Sequence, residues 1–268
     1  MFCWIYCKIF RRKLIVDGHN NAFDEPWISF PYYMDILSSS TIVMVHNDEL
    51  ERYLKIKYRN ILFYILPDKI PDFPLQNENK QYPQKSYFLV PLSFAPDEPF
   101  EEMFDAITLF LVTMKYPMEF IITGNYMRKR EIHDKYHSVQ GIRFIGYVDN
   151  RTYDNLLTNA FGVIALTKQQ MTQQCAAVEA MGAIVPLIVS DTDTNRRLFS
   201  QGAIITSIDR ISIKRSLEQF IKERGVLSDG IIEMNKHWDQ EWEKAFIGLK
   251  NHLAMGSLRN PVGEYGTR

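Results

Sequence analysis

In the stretch TQQCAAVEAMG, residues 172–182, one carboxylate, Glu179, sits among alanines and other small or apolar side chains. Apolar runs flank it, GVIALT at 162–167 and VPLIVS at 185–190, so the charge is carried into a segment wedged between two candidate buried strands. Thr172 is a good helix-capping residue, and the spacing predicts a helix that begins just after it. The backbone N–H groups of Gln173, Gln174 and Cys175 would then form an anion site at the helix N-terminus. Ala176, Ala177 and Ala180 keep that helix slim, so that a ligand or a sheet can approach closely. Glu179 falls on the same face as Thr172 and Ala176. A carboxylate so placed can accept hydrogen bonds from both hydroxyls of a ribose whose diphosphate rests at the helix start. The competing reading is a surface glutamate, or one paired to Arg196 or Arg197.

Other chemistry-bearing residues fall just after apolar runs: TGNYMRKRE after 118–123, GYVDNRTY at the end of 142–147, TKQQMTQQ after 162–167 and SDTDTNRRLF after 185–190. In open α/β sheets ligands bind outside the carboxyl ends of the strands, which makes these segments the candidates. His19 in DGHN ends a strand and reads equally as a site residue or as a turn residue capping the next helix. His46 in VHND reads as the residue before a helix capped by Asn47 or Asp48. The chain has no G-x-G-x-x-G, no G-x-x-x-x-G-K-[ST], no H-E-x-x-H and no G-x-S-x-G. Dinucleotide binding, P-loop hydrolysis, zinc proteolysis and a serine nucleophile therefore lack a positive signal.

The elements that must position these residues are legible. Nine short β-rich runs begin at KLIVD (13–17), TIVMVH (41–46), NILFYIL (60–66), SYFLVP (86–91), MEFIIT (118–123), IRFIGY (142–147), GVIALT, VPLIVS and AIITS (203–207). Most are continuous apolar runs, as expected for strands covered on both faces. Helical patterns such as 101–116 and 150–160 alternate with them, which predicts α/β architecture with parallel sheets. The segment 66–86 holds four prolines and many polar residues and reads as a break between two parts. The expected organisation is a partial α/β domain at 1–74, a linker at 75–85, a Rossmann-like domain at 86–226, and a C-terminal helix packing back with a tail at 227–268.

The 268 residues are 46% hydrophobic and 24% charged with net charge −1, so no overall basic field draws the chain to nucleic acid. The clusters RKR at 128–130 and NRR at 195–197 lack interleaved aromatics and read as solvated helix faces. Three cysteines, Cys3, Cys7 and Cys175, are too few for a disulfide framework and fit reduced thiols in the cytoplasm. The opening MFCWIYCKIFRRK is too short to span a bilayer and carries its positive charge on the wrong side for a signal peptide. It reads as a buried strand or helix, with a peripheral contact to the inner membrane face through Trp4, Phe10, Arg11 and Arg12 as the other reading.

The series VPLSFAPDEPFEEMFDAI, FIITGN, IRFIGYVDNRTYDNLLTNAFGVIALT, TQQCAAVEAM, Pro186 and LIVSD resembles, in order, the retaining glycosyltransferases of family GT4, with the two-domain GT-B fold. The resemblance covers about residues 85–210 and extends more faintly to LIVDGHNNAF, VMVHND and ILPDKIPDF. It implies a nucleotide-sugar donor held by the C-terminal domain without a metal or other cofactor. It implies ribose binding by Glu179, diphosphate binding by Gln173, Gln174 and Cys175, a nucleobase near Tyr147 and Val148, and His19 near the reacting sugar. The chain departs from the pattern at three places. The family's first glutamate falls on Met171, with Gln169, Gln170 or Thr172 as substitutes; its glycine two residues before Pro186 is Ile184, with Gly182 displaced. The loop that should bring Arg and Lys to the diphosphate reads SFAPDEPF, so Lys168, Arg128 or Lys129 would have to supply the charge. Two expectations follow: a glycosyltransferase acting on a glycan, lipid or protein, or a non-catalytic nucleotide-sugar-binding subunit of a split or degenerate one. The first part holds only three strands, too few for a second complete domain, so the expectation is either an N-terminally truncated glycosyltransferase or a protein partner that supplies the rest.

Overall fold

The computed structural model describes residues 2–73, 86–114 and 117–255. The linker expected at 75–85 and the tail beyond Met255 lie outside the described residues. The chain divides into two compact units, Met1–Lys69 with Asp239–Arg268, and Ile70–Trp238. All nine expected strands form, and every pairing among them is parallel.

The first unit contains α1 (Phe2–Ile9), β1 (Ile15–Asp17), α2 (Tyr33–Ser39), β2 (Ile42–Val45), α3 (Asp48–Lys57) and β3 (Phe63–Ile65). Its sheet runs β1-β2-β3. The outer strand β1 is largely exposed, whereas β3 is buried throughout. Asn47 caps α3 by accepting the Leu50 N–H at 2.8 Å, and acids in the first turn with lysines in the last complement the helix dipole. The opening segment corrects the expectation of a buried element: α1 buries no residue, and Phe2 and Ile9 are 85% and 68% exposed. Its apolar side chains run nearly all round the helix, a pattern that in isolation reads as core. No helix among the described residues is long and apolar enough to cross a membrane.

The second unit contains β4 (Ser86–Pro91), α4 (Phe100–Thr113), β5 (Met118–Thr123), α5 (Arg130–Tyr136), β6 (Ile142–Gly146), α6 (Asn150–Thr158), β7 (Gly162–Ala165), α7 (Cys175–Gly182), β8 (Leu187–Ser190), α8 (Asp193–Leu198), β9 (Ala203–Thr206) and the start of α9 (Arg210–Met255). Its sheet has the order β6-β5-β4-β7-β8-β9. On one face α4 buries Met103, Phe104, Ala106, Ile107 and Phe110, the spacing of an apolar helical stripe. Phe88 stacks on Phe120 with ring centroids 5.3 Å apart and meets the edge of Phe220 at 5.0 Å. Gly162 makes room for that cluster, since a Cβ there would lie 2.4 Å from the Phe220 ring. The last helix begins at Arg210, well before the position expected near 228. Gly225 and Gly230 lower helix propensity within it without ending it. Gly230 is there for close approach, because a Cβ would come within 2.6 Å of the Gly202 nitrogen.

The turn from α7 into β8 explains the displaced glycine. Ile184 adopts φ +56°, the left-handed region where a β-branched side chain is strained. Gly182 has no positive φ; its lack of a side chain admits Pro71, whose carbonyl oxygen would lie 2.6 Å from a Cβ. Ile184→Asn should therefore stabilise the protein by about 1 kcal/mol, since asparagine tolerates this backbone. A thermal melt should rise by roughly 2–4 °C. An unchanged or lower melting temperature would show that the backbone here is not strained.

Candidate functional site

Strand order reverses between β4 and β7, so the connections leaving these two neighbours turn to opposite faces of the sheet. A crevice at such a point, outside the carboxyl ends of the strands, is where α/β proteins of this kind bind ligands. The backbone at this edge is unusual in four successive connections. Phe94 after β4, Gly124 after β5, Gly146 at the end of β6 and Met171 after β7 have φ of +58°, +101°, +77° and +57°. Phe94 and Met171 are not glycine, and strain of this kind concentrates at ligand sites.

Glu179 lies on α7, half-buried, and its Oε2 accepts a 2.6 Å hydrogen bond from the Tyr153 hydroxyl. Tyr153 is on α6, which starts where Asp149 accepts the Thr152 N–H at 2.9 Å. Burial, and then the Glu179 carboxylate beside it, raise the Tyr153 pKa far above the usual phenol value, so its hydroxyl remains a donor. The ion pair weighed for Glu179 with Arg196 does not form, because Arg196 pairs with Asp191 at 2.5 Å. Tyr153 was not legible as a site residue: it lies 26 positions from its partner and carries only a helical pattern.

The segment before α7 differs in detail from expectation. The helix starts at Cys175 with Gln174 at the cap position, so Thr172 is not the cap; its hydroxyl donates to the Gln170 carbonyl at 3.3 Å. The Gln174 carbonyl receives the Ala177 N–H at 3.0 Å, so the first turn starts two residues later than a Thr172 cap would set it. The amides at the helix start are therefore those of Cys175 and Ala176, since the Ala177 N–H is given to the Gln174 carbonyl. The Gln174 side-chain amide donates to the Leu166 carbonyl at 3.2 Å, while its Oε1 is buried without a hydrogen-bond donor. Tyr147 is 83% exposed at the end of β6, with Val148 half-buried beside it.

The loop after β4 is held by its own acids. Glu98 is buried and accepts hydrogen bonds from the Ser93 N–H and hydroxyl at 2.9 Å and the Ala95 N–H at 3.2 Å. Burial raises its pKa, against the lowering effect of those three donors. Asp97 accepts the Thr167 hydroxyl at 2.5 Å through its carboxylate and the Lys168 N–H at 2.7 Å through its carbonyl. The candidate cations are partnered: Lys168 pairs with Glu102 at 3.1 Å, Arg128 donates to the Ser93 carbonyl at 3.2 Å, and Lys129 lies 3.9 Å from Glu131. Arg128 thus leans across to the loop that lacks a basic residue.

His19 is in the first unit, exposed, after β1, and its carbonyl accepts the Ala22 N–H at 2.8 Å. Its ring stacks on that of His46, with centroids 4.2 Å apart. His46 follows β2 and is 8% exposed, with Nε2 3.1 Å from Asp17 and Nδ1 3.0 Å from Asp68. Neither contact has the in-line geometry of a hydrogen bond. Burial alone would lower the His46 pKa, but Asp68 and Asp17 outweigh it and hold the value above that of a free histidine. The capping reading of Asn47 is correct, yet it hid His46 as part of this cluster, and nothing in the local pattern pointed to Asp68.

No family model and no curated protein matches the chain. Solved structures do. A sucrose-phosphate synthase from Thermosynechococcus elongatus matches with TM-score 0.70 at 14% identity, over 95% of this chain and 72% of that one. Anabaena Alr3699/HepE, solved with UDP and glucose, matches with TM-score 0.71 at 13% identity, over 96% of this chain and 74% of that one. TarM of S. aureus, solved with UDP among its ligands, gives TM-score 0.68 at 14% identity, over 92% of this chain and 52% of that one. The chain has the α/β fold of these GT-B glycosyltransferases and spans between half and three quarters of their length.

The Tyr153–Glu179 bond should be measurable in stability. Tyr153→Phe leaves the ring and removes a hydrogen bond to a charged group, which should cost about 1.5–3 kcal/mol in urea unfolding. In a Glu179→Ala background the same change should cost much less, since the pair acts as a unit. Equal costs in both backgrounds would mean the contact contributes nothing.

Proposed function

We propose that the chain binds a nucleotide sugar at the carboxyl edge of the second sheet and transfers its sugar to an acceptor, with retention of configuration and without a metal at the donor. The observation that carries this reading is Glu179, a half-buried carboxylate oriented through one oxygen by Tyr153 and placed beside the switch point. Its other oxygen, Oε1, is the acceptor for the ribose hydroxyls. The first turn of α7 receives the diphosphate. Gln174 Oε1 is a buried acceptor to which a sugar hydroxyl would donate. The exposed Tyr147 ring offers a face for the base. UDP in the HepE and TarM structures supports a uridine nucleotide as the donor.

Charge compensation is the weak element. The Lys168–Glu102 pair is partly exposed, and such pairs contribute only about 0–1 kcal/mol. Lys168 can therefore exchange Glu102 for a diphosphate oxygen, a stronger charge-assisted contact, and the leaving diphosphate is stabilised by it and the α7 amides. His19 serves the acceptor side. Met171, at the position where the family has a glutamate, favours a second reading in which the donor is bound but not used.

The test is thermal stabilisation by UDP-, GDP-, ADP- and dTDP-sugars, with Glu179→Ala as control. A donor at 100 times its Kd should add about 2.7 kcal/mol. The expected result is a shift with UDP-sugars that the control abolishes; no shift with any donor in a folded sample would sink the donor site. Release of free sugar or of product from a bound donor then separates the two readings, because the binding-only reading predicts none.

The exposed side chains of α1, followed by Arg11, Arg12 and Lys13, fit a peripheral contact with an anionic membrane on the cytoplasmic side. Sedimentation with vesicles containing phosphatidylserine should carry the protein down, and Phe2→Ser with Ile9→Ser should leave it in solution. Equal sedimentation of parent and variant would remove this assignment.

A further inference from the structure

We propose that Asp17, His19 and His46 form a binding site for a borderline divalent cation, zinc in type, at the carboxyl edge of the first unit's sheet. Three adjacent parallel strands each deliver a group to this place. Asp17 ends β1 with His19 two residues on, His46 follows β2, and Asp68 follows β3. Successive turns after neighbouring strands converge, so residues far apart in the chain become neighbours here.

The geometry favours a cation over a set of hydrogen bonds. One donor atom from each of Asp17, His19 and His46 lies within 4.8 Å of the others. Ligands bound tetrahedrally at about 2.0–2.2 Å stand about 3.3 Å from one another. The Asp17–His46 Nε2 separation of 3.1 Å is already that edge. His19 is exposed, so its ring can turn out of the stack on His46 to bring a nitrogen to the same point. His46 is more than nine-tenths buried, and both of its nitrogens lack an in-line hydrogen bond. A buried imidazole in that condition is costly unless another partner uses its lone pair.

Asp68 supplies an independent argument. It lies 3.0 Å from His46 Nδ1, on the side of the ring away from Asp17. A carboxylate beside the second nitrogen of a metal-binding histidine, once the ring turns to bring that N–H in line with it, fixes the tautomer that leaves the first nitrogen free to ligate. The ammonium of Lys69, next in sequence, sits 5.4 Å over the Trp242 ring. Two imidazoles and one carboxylate suit zinc or cobalt better than magnesium or calcium, which prefer all-oxygen sites. The fourth position is open to water or another oxygen ligand. This site shares His19 with the nucleotide-sugar reading but does not rest on it.

The test is titration of the full chain with Co2+ and Zn2+, followed by visible absorption and calorimetry, with thermal melts and circular dichroism of every variant. The expected result is one saturable ion with the visible bands of four-coordinate Co2+. His19→Ala, at an exposed position, should weaken binding at least ten-fold, and Asp68→Asn by about 10–100-fold. Cys3→Ser with Cys7→Ser should leave the affinity unchanged, which separates this site from the thiols of α1. The proposal is overturned if the folded parent shows no saturable binding, if His19→Ala binds as tightly as the parent, or if the paired cysteine variant loses the ion.

Discussion

Winding the second sheet outward in both directions from β4 has consequences for everything that can bind to it. The connections from β4 and β7 leave to opposite faces, which opens a crevice at the end of the sheet between them. Polar and charged groups that would be costly inside the sheet can sit there, and the chain puts Asp97, Glu98, Thr167, Lys168 and, one turn deeper, Glu179 around it. The same edge carries Phe94 and Met171 in left-handed backbone, which ordinary loops avoid. Both the acids and the strained backbone follow from a crevice that the topology cannot close.

Electrostatics at this edge decide how readily an anion could be held there. On the proposed reading a diphosphate would bring negative charge to a loop whose own carboxylates already take up several of its donors. Glu98 takes the Ser93 and Ala95 amides, and Glu102 holds Lys168. The loop is well satisfied internally, which makes it rigid but leaves the α7 amides as the main source of positive potential. Arg128, bonded to the Ser93 carbonyl, stands close enough to the loop to add charge from the neighbouring connection.

The first unit repeats the same principle on a smaller scale. Three parallel strands gather Asp17, His19, His46 and Asp68 at their carboxyl ends, and the burial of His46 turns ordinary surface chemistry into a specific arrangement. A histidine in water is indifferent to its neighbours; one that is buried needs a partner for each nitrogen.

The sequence by itself determined the α/β class, the nine strands and the position of Glu179. Strands covered on both faces read as unbroken apolar runs, and such runs are local properties of the chain. It also marked Ile184 and Met171 as residues that depart from a pattern. What only the tertiary structure decided was which residues meet: Tyr153 with Glu179, Glu102 with Lys168, and His46 with Asp17 and Asp68. It also moved the cap of α7 from Thr172 to Gln174, turned α1 outward, and showed that Ile184 is the residue in glycine-like backbone. Each of these depends on contacts between distant segments or on how a loop is pulled between two fixed strands. Periodicity in the chain carries no information about either.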